Sequence, residues 1–270
     1  MLAVISPAKS MNLDRSPTEV PAATAPLFQA QAKTLAGLAL KLESSGLASL
    51  MHLSDDLATL NHDRFKQFGK QDAKAAILLF AGDVYRGLDA SSLTEADLLE
   101  ANERLRVLSG LYGLLRPLDA IEPYRLEMGT RLKNSAGSNL YAFWEDQIAK
   151  QLLSDLAASP GAPVLINLAS NEYWKAADRK AFTAPVITIG FREYRGGKPT
   201  LISFSAKVAR GMMARFMIDG RVEHPDDLKA FDLDGYRFDP DLSSPEDVDL
   251  SAPDGRWTWV FSRPDPRAVL

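Results

Sequence analysis

The sequence of 270 residues contains no cysteine. That absence excludes disulfides, cysteine-based zinc sites and thiol catalysis. Histidine is nearly as scarce: His52, His62 and His224 are isolated from one another, and neither His-x-x-x-His nor a paired Asp-x-Asp pattern occurs. No resident metal and no cofactor are therefore expected. No apolar run approaches the roughly 20 residues a membrane helix needs, so no membrane partner is expected either. The opening MLAVISPAKS lacks a basic region followed by a long apolar segment; it reads as a strand rather than a signal peptide, and the cytoplasm is the expected compartment. Walker A, Gly-x-Gly-x-x-Gly and Gly-x-Ser-x-Gly patterns are also missing, which removes the usual phosphate turns and the serine hydrolase elbow. Net positive charge is absent too, the formal balance being −4.

What is present is an ordinary globular composition, 46% hydrophobic and 24% charged, long enough to bury a sizeable core. Short apolar runs of strand type (Leu2–Ile5, Leu105–Leu108, Val164–Leu168, Val186–Phe191, Thr200–Phe204, Trp257–Phe261) alternate with helical patterns over Leu27–Leu42, Leu47–Met51, Asp55–Phe65, Thr94–Asn102, Leu140–Ala157 and Ser205–Ile218. Residues 76–81 are apolar throughout and fit either type. No composition shift divides the chain. The expectation is one mixed α/β domain over residues 1–270, with a mixed central sheet flanked by helices.

Charge is unevenly distributed. Between Arg192 and Arg221 seven basic residues face two acidic ones, whereas residues 223–256, rich in Asp and Pro, read as an acidic loop segment. Such segregation hints at a polyanion site that the total charge masks. Within the basic block, a helix over Ser205–Ile218 would place Val208, Met212 and Phe216 on its core face and spread Lys207, Arg210 and Arg215 across the other side, with Gly211 and Ala214 in the middle of that arc. Small residues between cations would let a phosphate come close. A merely solvated basic face is the alternative.

Several apolar runs end alike, in a small polar residue followed by charged or aromatic ones: VIS-PAK, FAG-DVY, VLS-GLY, NLAS-NEY and ISFS-AK. Strand ends of this kind converge on one crevice in open α/β sheets. If they do so here, Ser6, Lys9, Asp83, Tyr85, Ser109, Ser170, Asn171, Glu172 and Lys207 share a rim. The stretch LRVLSGLYGLLRPLDAIEPYRLEMG, residues 105–129, is the most constrained part of the chain. It sets Arg116, Tyr124, Arg125 and Glu127 among leucines, prolines and glycines. Either it is a structural Arg–Glu staple or it is one wall of that cleft.

Eight runs carry a resemblance along most of the chain, in order: ISPAKS, LMHLSDDLATLNHDRF, FAGDVYRGL, residues 105–129 as above, NLYAFW, INLASNEYW, ISFSAKVARGMMARFMI and GYRFD. They resemble the YaaA family of peroxide-stress resistance proteins. The resemblance implies a cytoplasmic protein that helps cells survive hydrogen peroxide by limiting free iron and iron-driven DNA damage. It also implies binding of double-stranded DNA through a positively charged cleft and a helix-hairpin-helix element, in an unusual mixed α/β fold. That element would lie over residues 44–66. Its turn at His52-Leu53-Ser54 lacks the Gly-x-Gly that brings backbone N–H groups to phosphate, and Asp55 and Asp56 would repel one.

Two functions follow. In the first, the protein binds double-stranded DNA with little sequence specificity, using Lys9, Arg116, Arg125, Lys207, Arg210 and Arg215 toward phosphates, with Ser6, Tyr85, Ser109, Tyr124, Ser170 and Asn171 in the cleft. In the alternative it is an enzyme acting on a nucleobase or nucleotide, with Asp83, Glu127 or Glu172 as acid or base; a carboxyl set among apolar groups could have its pKa raised for such work. The binding function is preferred, and no obligate protein partner is inferred. Direct iron sequestration is disfavoured by the scattered histidines.

Overall fold

The computed structural model describes residues 1–14, 20–244, 248–250, 252 and 254–267. In its first half, strands β1 (Leu2–Ile5) and β2 (Ser10–Met11) lead to helices α1 (Gln29–Leu40), α2 (Glu43–Met51) and α3 (Asp55–Lys66). Next come β3 (Lys74–Ala75), α4 (Ala76–Leu79), β4 (Phe80–Ala81), α5 (Asp83–Leu88), α6 (Glu95–Arg104), β5 (Leu105–Ser109), β6 (Gly113–Leu115) and β7 (Ala120–Ile121). The second half contains α7 (Leu140–Trp144), α8 (Gln147–Ala158), β8 (Leu165–Asn167), α9 (Asn171–Ala177), β9 (Val186–Arg195), β10 (Lys198–Thr200), α10 (Ser203–Asp219), β11 (Arg237–Phe238) and β12 (Arg256–Pro264).

A single mixed sheet organises these elements, in the order β11-β12-β9-β8-β1-β5-β6 with β10 paired to β9. The inner pairings β12 with β9, β9 with β8, β8 with β1 and β1 with β5 are parallel, while β6, β10 and β11 are antiparallel additions. Strands β1, β5 and β8 are buried at every position, as expected where helices cover both faces of a parallel sheet. The exception in composition is Arg106, inside β5. Its guanidinium is held 2.5 Å from the buried Asp155 of α8 and also donates to the carbonyls of Asn102 and Leu105.

Local sequence explains most helix ends. Thr94 caps α6 in a reciprocal capping box with Asp97, and the Ser54 hydroxyl accepts from the Leu57 N–H at the start of α3. Two expectations are corrected. The helix read over Leu140–Ala157 is broken at Glu145, whose φ of 43° separates α7 from α8. The strand read over Thr200–Phe204 ends at Thr200, and Ser203 and Phe204 already belong to α10. Residues 76–81 turn out to be both types, one turn of helix running into β4.

α10 is also rotated relative to the expected face. Its buried residues are Ala206, Ala209, Gly211, Met213, Ala214, Met217 and Ile218, while Val208, Met212 and Phe216 are only partly covered. The cause is α5, which crosses α10 directly over the small residues. A Cβ on Gly211 would stand 1.8 Å from the Val84 carbonyl oxygen, and one on Gly87 would stand 2.0 Å from that of Val208. The gap in the basic arc therefore admits the backbone of a neighbouring helix, not a phosphate. No helix among the described residues is long and apolar enough to cross a membrane.

Candidate functional site

Strand β1 lies between β5 and β8, so the chain builds the sheet outward from it in both directions. Ligand crevices in open parallel sheets form at such a reversal, beyond the carboxyl ends of the strands. A cleft of about 510 Å³ opens there. The loop after β1 supplies Ser6 and Lys9, and the start of β2 supplies Ser10; the β4–α5 junction supplies Asp83 and Tyr85. Residues 124–127 form another wall with Tyr124, Arg125 and Glu127. The start of α9 brings Ser170, Glu172 and Tyr173, and α10 brings Lys207 and Arg210.

Most of the residues expected at the rim or toward phosphates thus meet. Four do not. Arg116 is exposed beside a separate cavity of about 100 Å³ lined also by Arg106, Asp119 and Asp155. Arg215 lies on the far side of the α5 crossing from Lys207 and Arg210. There it pairs with Asp219 at 2.8 Å and donates to the carbonyls of Leu88 and Asp89 at the end of α5. Asn171 is exposed and outside the lining. Ser109 is fully buried beneath the cleft, where its hydroxyl bonds that of Tyr124 at 2.6 Å and accepts from the Tyr112 N–H at 2.9 Å. It positions Tyr124 from below. Tyr173, by contrast, lines the cleft without having been expected there. Tyr173 could have been, since it lies one helical turn beyond Ser170.

The charges on the walls are mostly spoken for. Glu127 holds Lys9 at 2.8 Å and Arg125 at 2.9 Å, so residues 125–127 are at once a staple and a wall. Burial pushes the Glu127 carboxyl up, but Lys9 and Arg125 outweigh it and hold the group below the ordinary carboxylate range. This reverses the expectation of a raised pKa. Asp83 pairs with Arg86 at 3.1 Å, and Glu172 accepts from the Gly129 N–H at 2.8 Å. Lys207 and Arg210 have no carboxylate partner among the described residues. Burial, and secondarily the neighbouring Arg192, lower the pKa of Arg210.

The floor is phenolic. The Tyr85 hydroxyl donates to the Ser6 carbonyl at 3.2 Å, and the Ser6 hydroxyl accepts from the Ser170 N–H at 2.9 Å, tying β1 to the start of α9. Burial, with Tyr124 second, raises the pKa values of Tyr85 and Tyr173. Both phenols stay protonated and can serve as neutral hydrogen-bonding groups. No cluster of three or more metal-ligating side chains occurs among the described residues.

Residues 1–242 match the family model described as peroxide stress protein YaaA. The chain belongs to this family. It is 48% identical to a UPF0246 protein of Caulobacter vibrioides over 98% of this chain and all of that one. It is 50% identical to one of Aromatoleum aromaticum, over 91% of this chain and 97% of the relative, and 47% identical to one of Hahella chejuensis, over 97% and 99%. The span matched to the YaaA family includes every residue of the cleft and leaves β12 outside.

Proposed function

We propose that this YaaA-family protein acts in peroxide stress by binding double-stranded DNA in the cytoplasm, with little sequence specificity, and thereby limits iron-driven damage to it. The observation that carries this reading is the pair Lys207 and Arg210. They are cations of the cleft wall without a carboxylate partner, and they are therefore available to phosphate. Lys9 and Arg125 share the single carboxylate of Glu127, which leaves that trio only one net positive charge, and Arg215 pairs with Asp219. The helix pair α2–α3 contributes less, because its turn has no glycine and Asp55 and Asp56 stand exposed at the start of α3. Binding should weaken steeply with salt. For every phosphate that a variant no longer neutralises, the slope of log affinity against log salt should shrink by about 0.9. Replacing Lys207 and Arg210 together by alanine should flatten that slope, while Arg215→Ala should leave it nearly unchanged. Full affinity and an unaltered slope in the double variant would sink the proposal.

An enzyme acting on a nucleobase or nucleotide in the same cleft fits the carboxylates less well. Glu127 is held ionised by two cations, which makes it a weak base and removes it as an acid near neutral pH. Product analysis with damaged duplexes and free nucleotides tests that alternative; release of a base or conversion of a nucleotide would restore it.

A further inference from the structure

Among the described residues, the arginines most withdrawn from solvent almost all meet a carboxylate. Arg104 meets Glu100 and Glu223, Arg106 meets Asp155, and Arg263 meets Glu193 and Asp234. Arg210, partly buried in the cleft wall, meets none. Its Nε, like that of Arg263, is sealed from water and has no hydrogen-bond partner. Arg263 has carboxylates on its other nitrogens, however, whereas the charge that acts on Arg210 is another cation, Arg192. A withdrawn guanidinium left without an acceptor costs stability, and packing alone would be better served by an apolar side chain. The arrangement makes sense if an anion from outside completes it.

We infer that the inner part of the cleft is a phosphomonoester site, in which Arg210 grips the terminal phosphate and Lys207 supplies the second positive charge. This rests on the reading of the cleft as an anion site, but not on duplex DNA being the ligand. Size and charge select the chemistry. A cleft of about 510 Å³ lies in the range of small-molecule pockets, about 300–1,000 Å³. In a duplex the internal phosphates are flanked by sugar on both sides. A terminal phosphate projects beyond its sugar. It also carries about two negative charges near neutral pH, where an internal phosphodiester carries one. Two cations on one helical turn of α10 suit the former, and the planar fork of Arg210 suits bidentate bonding to phosphate oxygens. Tyr85, Tyr124 and Tyr173 offer aromatic and hydroxyl surface to the organic remainder. The phosphomonoester can come from a free mononucleotide or from the 5′-phosphorylated end of a strand.

The test uses the full chain and isothermal titration with a nucleoside 5′-monophosphate and its parent nucleoside. In parallel, one duplex is compared with and without 5′-phosphate. The monophosphate, the phosphorylated end or both should bind on the order of tenfold more tightly than the form lacking that phosphate. Arg210→Gln should abolish that preference, and Arg210→Lys should retain part of it. Thermal melting of ligand-free Arg210→Gln, expected at or above the wild-type midpoint, separates loss of the site from loss of the fold. Preference for the monophosphate alone assigns the free nucleotide as the source, and for the phosphorylated duplex alone the strand end. No preference in either pair, or a preference that survives Arg210→Gln, overturns the inference. A duplex lacking terminal phosphate that still binds with the Lys207-dependent salt slope preserves the DNA reading even then. Phosphomonoester binding without any duplex binding would remove the DNA reading and leave this one standing.

Discussion

Gly211 of α10 rests against the carbonyl of Val84 in α5 so closely that a methyl group on it would stand 1.8 Å from that oxygen. The crossing divides the cations of α10, sending Lys207 and Arg210 into the cleft and Arg215 to the end of α5. Gly211→Ala should therefore force the two helices apart, lower stability by about 1–3 kcal/mol and weaken anion binding as the cleft wall shifts. Gly37, exposed within α1 with nothing near its missing Cβ, is the control. Gly37→Ala should stabilise by about 0.5–1 kcal/mol. Chemical denaturation of both variants checks the contrast, which fails if the two changes have the same sign.

The buried pair Arg106–Asp155 should be costly to break from one side. Asp155→Ala leaves the guanidinium inside β5 without its counter-charge and should destabilise by about 3–5 kcal/mol. Replacing both residues by apolar side chains of similar volume should recover most of that loss. A double variant as unstable as the single one would contradict this, and would mean that the loss comes from packing around the site and not from the unpaired charge.

Glu127 predicts the acid limb of the stability profile. Its carboxyl lies below the ordinary value of 4.5 in the folded protein because Lys9 and Arg125 together outweigh burial. The folded state thus binds this proton less readily than the unfolded state. The resulting stabilisation is fully present above that ordinary value and is lost as pH falls through the lowered one. Glu127→Gln should flatten the fall of the melting temperature below about pH 4.5. Equal slopes for the two proteins between pH 3 and pH 6 would contradict the assignment.

Glu145 sits at φ 43° and ψ −121° between α7 and α8, a conformation that glycine accepts and a side chain resists. Its side chain is exposed and contributes no hydrogen bond or ion pair within the described residues. Glu145→Gly should raise stability by about 1 kcal/mol, less the entropy that glycine adds to the unfolded chain. A lower melting temperature would mean that the entropy term dominates.

Several features were settled by the sequence alone. Apolar runs such as Leu2–Ile5 and Leu105–Leu108 read as buried strands, and the absence of cysteine removed a class of chemistry at the outset. The recurrent small polar residue at strand ends pointed to one crevice, because parallel strands deliver their carboxyl ends to the same edge. Tertiary structure decided what helical and strand periodicity cannot express. Periodicity assigns residues to a face but does not say what covers it. Gly211 and Ala214 could have faced a phosphate, yet α5 fills that space. Arg125 and Arg215 pair with carboxylates two and four residues away in sequence, whereas Lys9 takes its carboxylate from a distant segment and Arg210 is left without one. Ion pairing depends on side chains brought together from far apart in the chain, such as Lys9 and Glu127. The availability of each charge, and with it the chemistry of the cleft, was therefore fixed only by the fold.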